Sequence, residues 1–237
     1  MPSPPAIALP PPGIELLYVD EHVVAVNKPS GLLVHRGWDD DEDVVLFRVR
    51  DAVGAKVSPV HRLDRGTSGA LLFARTTEAA SALGRDFEAG RVEKRYLALV
   101  RGTPPDAGII DQPVPKKEAG ERVPARTRFR RIARSTVDRC SLVEAMPETG
   151  RLHQIRRHLK HLNHPLVGDV NYGKGDVNRL FRERYGLHRL ALHAAALAFA
   201  HPFTGVPTSI AAPLPDDLRG PFEALGIPEE ALVPEVR

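Results

Sequence analysis

The sequence predicts an α+β fold with a mostly antiparallel sheet, on three observations. Short apolar runs rich in Val, Leu, Tyr and Ala recur along most of the chain, each bounded by Gly, Pro, Asn or Asp clusters. Helical periodicity is confined to a few segments. These segments do not alternate strictly with the strands, as βαβ units would require. With 237 residues and a hydrophobic fraction of 42%, the chain can bury a sizeable core.

Residues 1–13 contain six prolines and read as an extended, disordered leader. Residues 14–237 are expected to form one domain. Leu16–Val19 and Val23–Val26 flank the acidic turn Asp20-Glu21 as two short strands. Asn27-Lys28-Pro29-Ser30-Gly31 is a turn cluster, after which Leu32-Leu33-Val34 should begin another strand. The acidic run Asp39–Asp43 suits the positive end of a helix over Val44–Val53. Leu71–Ala74 is a buried strand, and Thr76 or Thr77 caps a helix to about Phe87. Strands follow at Tyr96–Val100 and Leu142–Ala145, and between them Arg126, Arg128 and Arg130 alternate onto one strand face. A helix is expected over Arg151–Leu162. The chain then closes with a strand near Ala194–Ala200, a turn at His201–Pro207 and a polar tail.

Lys and Arg number 33 against 30 Asp and Glu, a weakly basic balance in which location matters more than net charge. The single cysteine, Cys140, excludes an intramolecular disulfide framework and reads as a buried small hydrophobe in a strand. No signal-peptide pattern opens the chain and no apolar run approaches a membrane span. A soluble, cytoplasmic monomer is expected.

The first segment with chemical potential is His61-Arg62-Leu63-Asp64-Arg65-Gly66-Thr67-Ser68-Gly69. It sets one carboxylate between two guanidinium groups, which favour its charged form, on a tight turn that precedes a buried strand. Such an Asp is a nucleophile, a base or a metal ligand, or merely part of a solvated Asp–Arg cluster. The second is Thr149–Leu159. On a helical wheel Leu152, Ile155, Leu159 and Leu162 share one stripe, and Arg156 sits at its rim while Arg157 points away. A rim arginine either snorkels or needs a carboxylate partner, and Asp64 is the candidate. His153, His158, His161 and His164 lack metal-site spacing and read as phosphate-facing or solvated. Lys94-Arg95-Tyr96 opens a strand with an aromatic that can stack on an unstacked base. Lys116, Lys117, Arg122 and the Arg126–Arg134 series form the strongest basic cluster, able to neutralise phosphates or simply solvated.

Taken in order, several segments resemble the RluA family of pseudouridine synthases. They are Val26–His35, His61–Gly69, Lys94–Val100, Thr149–Arg156, His164–Asp169 and Leu192-His193-Ala194, within a coverage of Ile14 to Pro213. The resemblance implies a mixed, mainly antiparallel sheet with flanking helices and a central RNA-binding cleft, and isomerisation of uridine to pseudouridine in RNA without cofactor or metal. It implies that Asp64 is the essential aspartate, Tyr96 the tyrosine beside the target base and Arg156 the partner of the aspartate. Arg62 matches a position that fills the gap left by a flipped nucleotide. His61, Arg65, Lys94, Arg126, Arg128, Arg151 and His153 are the further substrate-binding candidates. Leu33–Trp38, Val49–Asp51 and Arg184–Leu190 resemble the branch acting on uridine 65 of tRNA. A ribosomal-RNA target, or an idle RNA-binding protein, is the alternative.

Overall fold

The computed structural model describes residues 14–36, 43–117 and 120–233. The Pro-rich segment 1–13 and most of the acidic run Asp39–Asp43 lie outside the described residues. The expected helix is there, as α1 (Val45–Val53), with no acidic residue in its first turn; Asp43 instead pairs with Arg48.

Two hairpin strands, β1 (Glu15–Val19) and β2 (Val23–Lys28), open the chain. Their turn is closed by Asp20, whose carboxylate accepts from the amides of His22 and Val23. A two-residue strand, β3 (Ser58–Pro59), precedes the wholly buried β4 (Ser68–Ala74). Helix α2 (Thr77–Glu88) follows, capped by the Thr76 hydroxyl accepting from the amide of Ala79. Then come β5 (Glu93–Arg101), β6 (Ala107–Asp111), the small hairpin β7 (Val114–Pro115) and β8 (Arg122–Val123), β9 (Arg126–Arg134) and β10 (Cys140–Pro147). Helices α3 (Gln154–His161) and α4 (Gly175–Tyr185), strands β11 (Leu192–Ala200) and β12 (Pro207–Ala211), and helix α5 (Asp216–Ala224) complete the fold.

One large sheet runs in the order β1-β2-β4-β11-β5-β10-β9-β6, with β3 added to β4 and β12 to β11. Only β4 and β11 pair parallel among its named strands; the remaining pairs are antiparallel. The sheet is therefore mixed and mainly antiparallel. One face carries the core of Val24, Val26, Leu71, Phe73, Ala98 and Val143 beneath α1 and α3. The other packs Leu97, Leu99 and Leu142 against α4 and α5.

Four expectations change. Leu32–Val34 is not a strand; Leu33 makes a single bridge to Val44, because Pro29 and Gly31 have already turned the chain off the sheet. The helix begins at Gln154 rather than Arg151, because His153 adopts a left-handed conformation (φ 53°) and the Gln154 side chain accepts from the amide of Arg151. Leu152 is thus removed from the helical stripe. The C-terminal segment is not a polar tail: Leu218 and Phe222 of α5 are fully buried. Helix α4 was not anticipated, since its apolar face is only Phe181 with half-buried Val177 and Tyr185.

The β4–β11 contact explains the last glycine of the Asp64 segment. Gly69 has φ 113°, and a Cβ there would lie 2.2 Å from the carbonyl oxygen of Ala194. Gly69→Ala is expected to cost more than about 3 kcal/mol. Urea unfolding checks this, and an unchanged midpoint would show that the strands can part to admit a methyl group.

Candidate active site

A cleft of about 470 Å³ opens over the junction of β4, β11 and β5. Its floor is set by register: Gly69 and Tyr96 both lie opposite Ala194 on β11, so the Asp64 turn and Tyr96 meet across one strand. The β11–β5 register slips between Ala194 and Ala196, the kind of irregularity that re-aims side chains beside a site.

Asp64 lines the cleft with its side chain 22% exposed. Its Oδ2 accepts from Nη1 of Arg156 at 3.1 Å. Arg156 is itself buried and fixed by Asp169, whose two oxygens accept from Nε at 2.8 Å and Nη2 at 2.9 Å. Asp169 in turn accepts from the amides of Asn171 and Tyr172. Burial raises the Asp169 pKa, but the Arg156 bonds and the two amides outweigh it and hold the carboxyl below its ordinary range. The guanidinium lies 5.1 Å from the Tyr172 ring centroid. The Tyr172 hydroxyl accepts from Nε of Arg157 and lies 3.1 Å from Nδ1 of His153. Arg157, expected to point away, instead ties Tyr172 to the carbonyls of Leu152 and Pro115.

The turn that carries Asp64 is gripped from behind, carbonyl by carbonyl. The Arg65 carbonyl accepts from Gly31 N and Lys28 Nζ, and that of Gly66 from Ser30 Oγ and Arg189 Nη2. The Thr67 carbonyl accepts from Lys28 Nζ at 2.8 Å. Lys28 is fully buried, and burial with the nearby charge of Arg189 draws its pKa down to about 7. Arg189 also donates to Ser68 Oγ, which bonds Nδ1 of the buried His193, and pairs with Asp217 on α5. Thus α5 supports the turn through one arginine.

Most predicted residues converge here. Asp64, Tyr96 and Arg156 line the cleft together, and so do Arg62, Lys94, Arg151 and His153. Tyr96 is buried, and burial plus the Asp64 charge push its phenol pKa up, which keeps it neutral. Burial draws Lys94 down to about 8. His61 also lines the cleft, but as a neutral ring: it stacks on Phe87, its Nε2 accepts from the amide of Leu72, and burial draws its pKa to about 3. It is no phosphate-binding cation.

Three candidates lie elsewhere. Arg65 does not line the cleft; its carbonyl is bonded behind the turn by Gly31 N and Lys28 Nζ. Arg126 and Arg128 stand on the exposed face of β9, both paired with Glu148, while Arg130 pairs with Glu144. Part of the basic cluster is therefore offset by carboxylates, whereas Lys116 lines the cleft. His158 is not solvated: it is fully buried between Thr127 Oγ1 and the Gln112 carbonyl. Cys140 is buried, and its thiol is pushed up to about 11 by burial, which leaves it inert.

Asp169, Tyr172, Lys28 and Arg189 carry the site's support and were not singled out from sequence. Only Lys28 left a usable signal. It follows Val24 and Val26 at strand spacing, which puts it on their buried face.

Comparison with known proteins identifies the family. The family described as RNA pseudouridylate synthase matches residues 22–161. The tRNA pseudouridine synthase C of Vibrio cholerae serotype O1 is 41% identical, over 93% of this chain and 99% of its own length. That of Salmonella typhimurium is 44% identical over 85% of each chain. Among solved structures, human RNA pseudouridylate synthase domain containing 4 superposes with a TM-score of 0.72 at 28% identity, covering 90% of this chain and 93% of that one.

Buried His193, drawn to about 4 by desolvation, and His61 stay neutral where an unfolded imidazole titrates near 6.5. Below about pH 6.5 the unfolded chain takes up protons that the native state refuses, so native stability falls as pH drops toward about 4. Urea midpoints at pH 7 and pH 5 are expected to differ accordingly; equal midpoints would contradict the two neutral imidazoles.

Proposed function

This chain belongs to the RNA pseudouridylate synthase family and isomerises uridine to pseudouridine in RNA, and we propose that Asp64, Tyr96 and Arg156 carry the reaction, with transfer RNA as substrate and uridine 65 as the target. The observation that carries the site assignment is the Asp64–Arg156–Asp169 chain at the floor of the cleft. Residues 14–237 act in this reading as one catalytic unit.

The reaction breaks N1–C1′, turns the uracil and joins C5 to C1′. The proton lost from C5 is balanced by the one gained at N1, so no redox partner or co-reactant enters. A paired uridine is unreachable, and the nucleotide must be flipped into the cleft. Arg62, exposed at the rim, is placed to occupy the gap it leaves. Asp64 receives only one bond from Arg156 and keeps its remaining lone pairs for chemistry. As a base it draws the sugar toward a glycal; as a nucleophile it attacks C1′ or C6.

Tyr96 supplies the ring against which the freed uracil turns. Its hydroxyl is also the group we assign to the C5 proton: as a neutral phenol it takes that proton only while giving up its own toward N1, so the loss at C5 and the gain at N1 balance. Asp64 is one of the causes that raise the Tyr96 pKa. On the route through C6 the ester at Asp64 still stands when C5 is deprotonated, so that charge is cancelled and phenol ionisation is eased at that stage. On the route through C1′ the new C5–C1′ bond has already released Asp64 as a carboxylate. The transfer-RNA assignment rests on the names of the relatives and on the resemblance of Leu33–Trp38 and Arg184–Leu190 to that branch, although 37 and 38 fall outside the described residues.

Asp64→Asn is expected to fold and bind RNA while losing pseudouridine formation by more than about 10³-fold, as read by tritium release from labelled tRNA; turnover near wild type would sink the assignment. Tyr96→Phe separates ring from hydroxyl. Binding is expected within a few-fold of wild type and turnover down at least about 10²-fold; retained turnover would leave the hydroxyl no proton to carry. Mapping pseudouridine in total RNA with and without the gene identifies the target. A signal lost from ribosomal RNA alone would overturn the tRNA assignment.

A further inference from the structure

A second cavity, of about 550 Å³, lies at the far end of β5 and α3 from the catalytic cleft. Arg101 ends β5, five residues beyond Tyr96, which places it roughly 17 Å away along the strand. Arg139 enters from the turn before β10. Among the described residues, neither guanidinium makes a hydrogen bond or ion pair. The carboxylate beside them, Asp138, is paired instead with Arg184 at 3.9 Å and accepts from the Tyr185 hydroxyl and the amide of Arg139.

The opposite wall is apolar. Val177, Leu180 and Phe181 of α4 form it, and Leu180 is 38% exposed there. His164 stands between the two walls with a fixed tautomer. Its Nδ1 lies 2.8 Å from the Arg101 carbonyl, which can only accept, so Nδ1 carries the proton and Nε2 is left as an acceptor. Gly102 makes room for this ring: it has φ 74°, and a Cβ would come within 3.2 Å of Nδ1. Asn163, beside it, holds a left-handed conformation (φ 63°) that side-chain-bearing residues seldom adopt. Two free cations, an apolar wall and one oriented acceptor match the three parts of a nucleotide: phosphate, base, and sugar hydroxyl or base N–H.

We propose that this cavity is a second nucleotide-binding site, holding one nucleotide of the substrate RNA outside the target uridine. The phosphate sits between Arg101 and Arg139, the base lies against Leu180 and Phe181, and His164 Nε2 accepts from a hydroxyl or ring N–H. The segment from His164 to Asp169 then lines this cavity at one end and anchors Arg156 at the other. The inference rests on RNA being the substrate. A free mononucleotide offers the same chemistry, and the experiment separates the two sources.

The test compares wild type with the double variant Arg101→Gln/Arg139→Gln and with Leu180→Ala. Affinity for an unmodified tRNA transcript is measured at several salt concentrations, and pseudouridine formation at saturating RNA. The double variant is expected to bind about tenfold more weakly near 0.1 M salt. Its salt slope should shrink by about 0.7 to 0.9, with turnover at saturation unchanged. Leu180→Ala is expected to weaken binding about three- to tenfold with the slope intact, which a general loss of positive charge would not produce. In a parallel arm, UMP and AMP are titrated into each protein. Binding that the double variant loses, with RNA affinity unmoved, would keep the nucleotide site and overturn the RNA as its source. RNA and mononucleotide binding equal to wild type in both variants would overturn the site. A wild-type enzyme that formed no pseudouridine would instead overturn the RNA-isomerase reading and leave the binding measurements standing.

Discussion

The guanidinium of Arg156 joins two carboxylates that approach it from unrelated parts of the chain. Leaving such a charge buried and unpaired costs about 3–5 kcal/mol, so the helix that carries it can settle only where anions wait. Asp169 supplies the permanent partner through two parallel bonds and is itself neutralised by them. Asp64 receives the remaining bond. The triad keeps one net negative charge, and that charge resides where the cleft is open.

The rest of the fold answers the same constraint from the other side. A carboxylate aimed at a buried arginine must not drift, and the turn beneath Asp64 is short, polar and placed at the end of a strand. Its carbonyls would be costly to leave unbonded. Lys28, Ser30, Gly31 and Arg189 bond them in succession, and Gly69 lets β4 approach β11 closely enough to fix the turn's height. Two basic side chains, Lys28 and Arg189, thus stand behind the turn and bond its carbonyls.

Burial decides the protonation of most other groups near the cleft. His61 and His193 are neutral rings that accept or relay hydrogen bonds, and Tyr96 is a neutral phenol. The cations lining the cleft that an RNA enters include Arg62, Lys94, Lys116 and Arg151, and Arg101 and Arg139, unpaired among the described residues, stand at the second cavity. On β9, Arg126 and Arg128 are already paired with Glu148. Such exposed pairs are worth little, so a phosphate can replace the carboxylate at small cost.

By itself the sequence determined the local elements whose period or capping is strong: the β1–β2 hairpin around Asp20, the apolar β4, α2 behind Thr76, and the alternation of arginines on β9. It also determined Asp64 as a carboxylate on a stiff turn and Arg156 as an arginine at the edge of an apolar stripe, because composition and spacing act within a few residues. Tertiary structure decided what those two meet. Asp169 lies 13 residues from Arg156 and 105 from Asp64, and nothing in its own neighbourhood marks it as an anchor. Lys28 and Arg189 reach the same turn from opposite ends of the chain. The start of α3 likewise turned on Gln154 bonding back to Arg151, and the burial of His158 on Thr127, a strand away. A buried polar group is satisfied by whichever partner the fold brings within about 3 Å, and that proximity is a property of the sheet order rather than of any segment in it.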